Sequence, residues 1–202
     1  MRKYILIASA VFGTFAFAAC DSGTTTEQQT TSTGEVNEAV AGDTEALTEE
    51  KKELIPFMAR ASLMQIEMGR LAAEKGQSDQ VRQYGQQMAE LYSSKKDELR
   101  DFASSYGVSV PETLHEDQQE EVKKLRETKP EDFDMAYWDE AIDAHKDAID
   151  EFGSTLKSED EALANPFSVW ARNTEKEKRA QMEQAMRFRL DQKDILRKRS
   201  GL

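Results

Sequence analysis

Cysteine is almost missing from this chain. Cys20 is the sole one in 202 residues, so no disulfide can form within the chain and the fold must rest on packing. Proline and glycine are also scarce, at four and ten. No stretch of useful length alternates polar and apolar residues with period two, which excludes a sheet. Basic residues are the minority, 27 against 39 acidic ones, and no basic stripe is interleaved with aromatics, so a nucleic-acid partner is excluded. No serine, histidine and acid arrangement stands out as a triad, and no glycine-rich loop follows a strand, so the chain reads as a non-enzyme. What is present is charge, a third of all residues, interleaved with Ala, Leu and Met. That mixture suits long helices with solvated faces.

The first residues carry a specific signal. Arg2 and Lys3 precede the apolar run YILIASAVFGTFAFAA, which ends in small residues directly before Cys20. Residues 1–19 read as a secretory signal, and a cysteine at that point resembles the acylated residue of a bacterial lipoprotein. The expected partner is then a membrane, reached through lipidated Cys20, with the protein in the bacterial cell envelope facing the periplasm or cell surface. Removing residues 1–19 takes away two basic residues and no acidic one, so the net charge goes from −12 to −14. Residues 20–47 are rich in Thr, Glu and Gly and poor in large apolar side chains. Such a segment cannot offset its ordering entropy and is expected to be a disordered tether.

Residues 48–202 carry the folded domain. One helix is expected from Pro56, a good first-turn residue, to Lys75, with Leu54, Phe57, Ala61, Met64, Met68 and Leu71 inward. A second starts after Ser78 as N-cap and stops at Gly107. After VSVPETL comes a short polar helix near Glu116–Glu127, then a long one opened by Pro130 that frays near Gly153. Asn165 and Pro166 open the last, which runs to Gly201 and buries Phe167, Trp170, Ala171, Thr174, Met182, Ala185 and Phe188. The expected fold is all-α: an antiparallel four-helix bundle with a short extra helix in its middle connection.

His145 raises the chemical question. On a helical wheel at about 100° per residue, Trp138, Ala141, Ile142, Ala148, Ile149, Phe152 and Leu156 fall within roughly 60° of it, so the imidazole points into an apolar stripe. His115, beside EDQQEE, reads as a solvated loop or capping residue. Met58, Met64, Met68 and Met88 sit at helical spacing among apolar neighbours and read as core rather than as a thioether metal site. Arg187, Arg189, Lys193, Arg197, Lys198 and Arg199 gather at the end of the last helix, where cations favour the helix dipole.

The segments IEMGRLA, YGQQMAE, GVSVPETL and AHKDAIDEF resemble the bacterial family called domain of unknown function 4142, over roughly Ile55 to Phe188. That family is grouped with ferritin-like bundles and labelled putative outer-membrane protein. The resemblance implies a ferritin-like four-helix fold and a site built from inward histidines beside a glutamate. Carried over position by position, the glutamate is Glu67 and one histidine is His145. Tyr92 and Gln181 stand where the other two histidines are expected. Tyr92, His145 and Gln181 are therefore expected to form a hydrogen-bonded polar layer inside the core. The alternative is a degenerate ferritin-like site for a divalent metal, with a sequestering or redox role, using His145 with Glu67 and Glu90. The leading expectation is a lipid-anchored, non-enzymatic bundle of the envelope with a binding or stress-related role and no cofactor.

Overall fold

Residues 46–157 and 165–201 are described in the computed structural model of the protein, all within one unit, Ala41–Leu202. The expected signal 1–19, Cys20 and nearly all of the tether 20–47 lie outside the described residues. The described residues form a helical bundle of five helices, with no strand among them: α1 (Glu49–Lys75), α2 (Asp79–Ser105), α3 (Glu116–Glu127), α4 (Pro130–Thr155) and α5 (Pro166–Ser200). No helix among them is long and apolar enough to cross a membrane.

Four boundaries follow from their caps. The Ser78 hydroxyl accepts from the Val81 N–H at 3.3 Å and opens α2. Asn165 accepts from the Ser168 N–H at 2.8 Å and opens α5, with Pro166 in its first turn. His115 opens α3, its backbone N–H bonded to the Gln118 side chain and its ring to Asp117 at 2.7 Å. Gly107, at φ 66°, takes the left-handed turn just beyond α2.

One start differs from expectation. α1 begins at Glu49, after Thr48 as N-cap, so Pro56 lies inside the helix rather than at its head. The missing N–H and the ring cost backbone bonding there, but Leu54 and Ile55 just before it are fully buried and hold the segment from Glu49 against the bundle. Leu47, assigned to the tether from sequence, packs half-buried against the same cluster. Gly153 does not fray the fourth helix, which continues through it to Thr155.

The interior has two apolar halves. One holds Met64, Met68 and Leu71 of α1, Tyr84 and Met88 of α2, Val122 and Leu125 of α3, and Phe133, Tyr137 and Trp138 of α4. The other holds Leu54, Ile55 and Met58 of α1, Leu99 and Ala103 of α2, Phe152 of α4, and Phe167 and Ala171 of α5. All four inward methionines thus serve as core filling.

The first two helices touch at glycines. A Cβ on Gly69 would lie 2.5 Å from the Gly85 carbonyl oxygen, and one on Gly85 would lie 2.5 Å from the Ala72 Cβ. Close approach of α1 and α2 therefore requires glycine at both positions, which are the glycines of IEMGRLA and YGQQMAE. Asp134 of α4 fixes the turn between these helices. Its buried carboxylate accepts from the Gln77 N–H at 2.7 Å and the Ser78 N–H at 2.9 Å.

Candidate functional site

Between the two apolar halves lies a seam of buried polar side chains: Ser62 and Gln65 of α1, Tyr92 of α2, His145 of α4 and Lys178 of α5. Along their helices Ser62, Tyr92, His145 and Lys178 fall where one half gives way to the other, and both Lys178 and His145 lie beside the Tyr92 ring.

Lys178 is the unusual member. It is 3 % exposed, and its Nζ donates to the Tyr92 hydroxyl at 2.8 Å and sits 4.1 Å from the centre of the Tyr92 ring. The Tyr92 hydroxyl in turn donates to Gln181 Oε1. Among the described residues this amine has no bonded carboxylate. Burial is the main force lowering its pKa, from 10.5 to about 7, with Lys95 adding to the effect and Glu177 opposing it. Burial pushes the Tyr92 phenol well above its ordinary value, so it stays a neutral hydroxyl.

His145 is fully buried, with its ring 6.4 Å from that of Tyr92 between centres. The expected hydrogen bonds to Tyr92 and Gln181 are not made, and neither ring nitrogen has a protein partner. The Tyr92 hydroxyl is instead bonded to Lys178 and Gln181, both on α5. Burial, with Lys178 nearby, lowers the His145 pKa to about 3, so the imidazole is neutral. The Gln65 amide, also buried, likewise has no protein partner.

The layer expected from sequence is thus a Lys178–Tyr92–Gln181 chain with His145 beside it. Sequence reasoning passed over Lys178, yet a signal for it existed. On the α5 wheel it falls within roughly 20° of both Phe167 and Ala185, the centre of the apolar stripe. A lysine there has no solvated face to reach.

A cavity of about 210 Å³ opens onto this seam between α1, α2 and α5. Met58, Leu99 and Trp170 give it apolar walls, and Tyr92 and Lys178 lie at its inner end. Lys95 and Glu177, paired at 2.5 Å with side chains 29 % and 48 % exposed, mark its mouth. Ser62, Glu98, Asn173 and Thr174 complete the lining, so the pocket sets a short apolar wall beside several polar groups, as a site for a small amphipathic molecule does.

Glu67 belongs elsewhere. It is paired with Arg70 at 3.0 Å and lines a different groove, with Leu63, Leu114 and Val122. Glu90 is exposed and accepts from Gln86 at 2.9 Å. Among the described residues no group of three or more His, Cys, Asp or Glu is gathered so as to hold a metal ion. A ferritin-type centre needs several inward carboxylates and imidazoles, and the partners of Glu67 and Glu90 do not fit that requirement.

The Met64 and His115 side of the bundle carries a third, acidic groove, lined by Glu121, Glu140, Asp143 and Asp147. Burial and then neighbouring carboxylates raise the pKa of Glu121, Glu140 and Asp147. His115 at its edge is spoken for by its capping role and by Asp117.

No curated protein matches the sequence. The fold is similar to that in a solved structure titled "Crystal structure of DUF305 fragment from Deinococcus radiodurans". That likeness has a TM-score of 0.59 at 13 % identity and covers 70 % of this chain and 96 % of that one. The family described as Domain of unknown function (DUF4142) matches residues 36–188, including both glycines of the α1–α2 contact and the whole polar seam, and the chain belongs to that family.

Proposed function

We propose that this protein is a lipid-anchored binding protein of the bacterial cell envelope. In this reading it is an antiparallel four-helix bundle of ferritin-like topology, held to a membrane through acylated Cys20, and it is not an enzyme. Its ligand is a small amphipathic molecule taken into the cavity between α1, α2 and α5. The observation that carries the binding role is Lys178, a buried amine bonded only to a neutral hydroxyl at the inner end of that cavity. Burying an ammonium without a carboxylate costs several kcal/mol, on the order of that for any poorly paired buried ion. A methionine or leucine would fill the same space at no such cost, so the amine is kept for something it contacts.

Titration of tryptophan fluorescence with 1-hexanol tests this reading, because Trp170 lines the cavity while Trp138, the other tryptophan, is fully buried in the other half of the core. A saturable change that Thr174→Phe abolishes, with the fold intact by circular dichroism, supports it. An unsaturable change that is identical in wild type and variant overturns it. The anchor has its own test: a metabolic fatty-acid probe is expected to mark wild type and miss Cys20→Ser.

A single observation favours a second reading, the degenerate metal site: His145 is buried with both ring nitrogens unpartnered by protein. Against it stand the Glu67–Arg70 pair and the amine of Lys178, whose charge already depresses the His145 pKa. Metal analysis after reloading decides between them. About one or two ions lost on His145→Ala favours the metal, and sub-stoichiometric binding favours the cavity reading.

A further inference from the structure

The cavity and its inner amine make a more specific chemistry available than binding alone. Lys178 lies at the meeting of α1, α2 and α5, and its nitrogen is held by one hydrogen bond, to Tyr92. A protonated lysine in such a place is ordinarily neutralised by a carboxylate. The carboxylate of Glu177, next to it in sequence, is instead paired with Lys95 at the mouth. The nitrogen is therefore presented to the cavity without an ionic partner. Met58, Leu99 and Trp170 supply the apolar part of the lining, and Ser62, Glu98, Asn173 and Thr174 add polar groups.

We propose that Lys178 captures small aldehydes or ketones with short apolar tails as a Schiff base formed inside this cavity. This rests on the reading of the cavity as a binding site and names its ligand class.

The step balances without an oxidant or reductant. The nitrogen lone pair adds to the carbonyl carbon, and the carbonyl π pair moves to its oxygen. That oxygen gains a proton as the nitrogen loses one, giving a carbinolamine. The nitrogen then forms a double bond to carbon while the hydroxyl leaves with a proton as water. The net change is amine plus carbonyl to imine plus one water.

Three features of the site favour the step. Desolvation keeps a large share of the amine neutral near pH 7, and only the neutral amine is nucleophilic. The Tyr92 hydroxyl lies 2.8 Å from the nitrogen and remains protonated, so it is positioned to pass a proton between nitrogen and oxygen. Met58, Leu99 and Trp170 give the short tail an apolar surface to rest on. Tyr92 touches the reacting nitrogen, whereas Gln181, which accepts from Tyr92, is a positioning residue.

The experiment is reductive trapping. The full chain is incubated at pH 7 with low hexanal and sodium cyanoborohydride, and adducts are mapped by peptide mass spectrometry. Binding of 1-hexanol, which cannot form an imine, is measured in parallel by tryptophan fluorescence. The expected result is saturable labelling at Lys178, at least about tenfold above that at Lys95 and the exposed lysines. Labelling at the other lysines is expected to be unchanged in Lys178→Met. Tyr92→Phe is expected to slow Lys178 labelling at saturating hexanal. If hexanol binds but Lys178 is labelled no more than exposed lysines, the Schiff base is wrong and the binding site stands. If hexanol does not bind and labelling follows exposure alone, both readings fall. If Lys178 is preferentially labelled without hexanol binding, the amine chemistry stands and the non-covalent cavity reading does not.

Discussion

Replacing Lys178 by methionine should make this protein more stable. The side chain stays unbranched and is shorter by only the terminal nitrogen, so most of the packing between α1, α2 and α5 is retained. What goes is an amine whose pKa falls from 10.5 to about 7 on folding, chiefly through burial. The sign follows from proton binding. Below pH 7 both states carry the proton, and folding bears the full penalty of a buried ammonium. Between pH 7 and 10.5 the unfolded chain holds a proton that the folded chain does not, so stability rises with pH across that window. Above 10.5 the penalty is gone. At about 1.4 kcal/mol per pKa unit, the penalty at pH 7 is about 4 kcal/mol, and wild type gains about 2 kcal/mol between pH 7 and 9. Of the groups facing the amine, His145 has its pKa lowered to about 3 and Tyr92 has its raised by burial, so neither changes charge in this window. Lys95 and Glu177 stay paired at the mouth in both proteins. Urea unfolding followed by circular dichroism at pH 7 and 9 measures the effect. The expected outcome is a Lys178→Met protein more stable than wild type at pH 7, with the difference shrinking by pH 9. A variant that is less stable at pH 7, with an unchanged slope, would refute the reasoning. The ammonium would then be satisfied by a partner not recognised in the seam.

Other outcomes follow from named contacts. Gly69→Ala and Gly85→Ala should each lose about 1–3 kcal/mol by forcing α1 and α2 apart, and a thermal midpoint unmoved in both would show that the helices have slack. Asp134→Ala should cost about 1–3 kcal/mol by stripping the Gln77 and Ser78 N–H groups of their acceptor, with Asp134→Asn recovering part of it in the same denaturation assay. His145→Leu removes two buried nitrogens without orphaning any partner, so it should raise stability by about 1–3 kcal/mol. His145 has a folded pKa near 3 against 6.5 unfolded, so in wild type the unfolded chain binds its proton first as pH falls below about 6.5. Acid then lowers stability down to about pH 3, and that share of the acid loss should vanish in the leucine variant.

Much of the fold is legible in the chain. Ser78, Asn165 with Pro166, and Pro130 mark helix starts by local chemistry that acts within one turn, so three helix starts could be placed without tertiary knowledge. The inward face of each long helix follows from 3.6-residue periodicity, which is also why His145 could be placed inside. Pro56 misled because its local cost is real, and only the burial of Leu54 and Ile55 against other helices outweighs it. The composition of the site lay beyond local rules as well. Periodicity says that Tyr92, His145 and Gln181 face inward, but not which of them meet. That depends on the heights at which four helices pack, set in part by the contact of Gly69 with Gly85. The same packing hands the Tyr92 hydroxyl to Lys178 and Gln181 and leaves His145 without a protein partner. The sequence by itself determined that these helices exist and which side of each is apolar, because those properties arise from neighbours a few residues apart. Only the tertiary structure decided that a lysine in the middle of an apolar stripe ends at the base of a cavity, because two of its walls, Met58 and Leu99, come from other helices, 120 and 79 positions away.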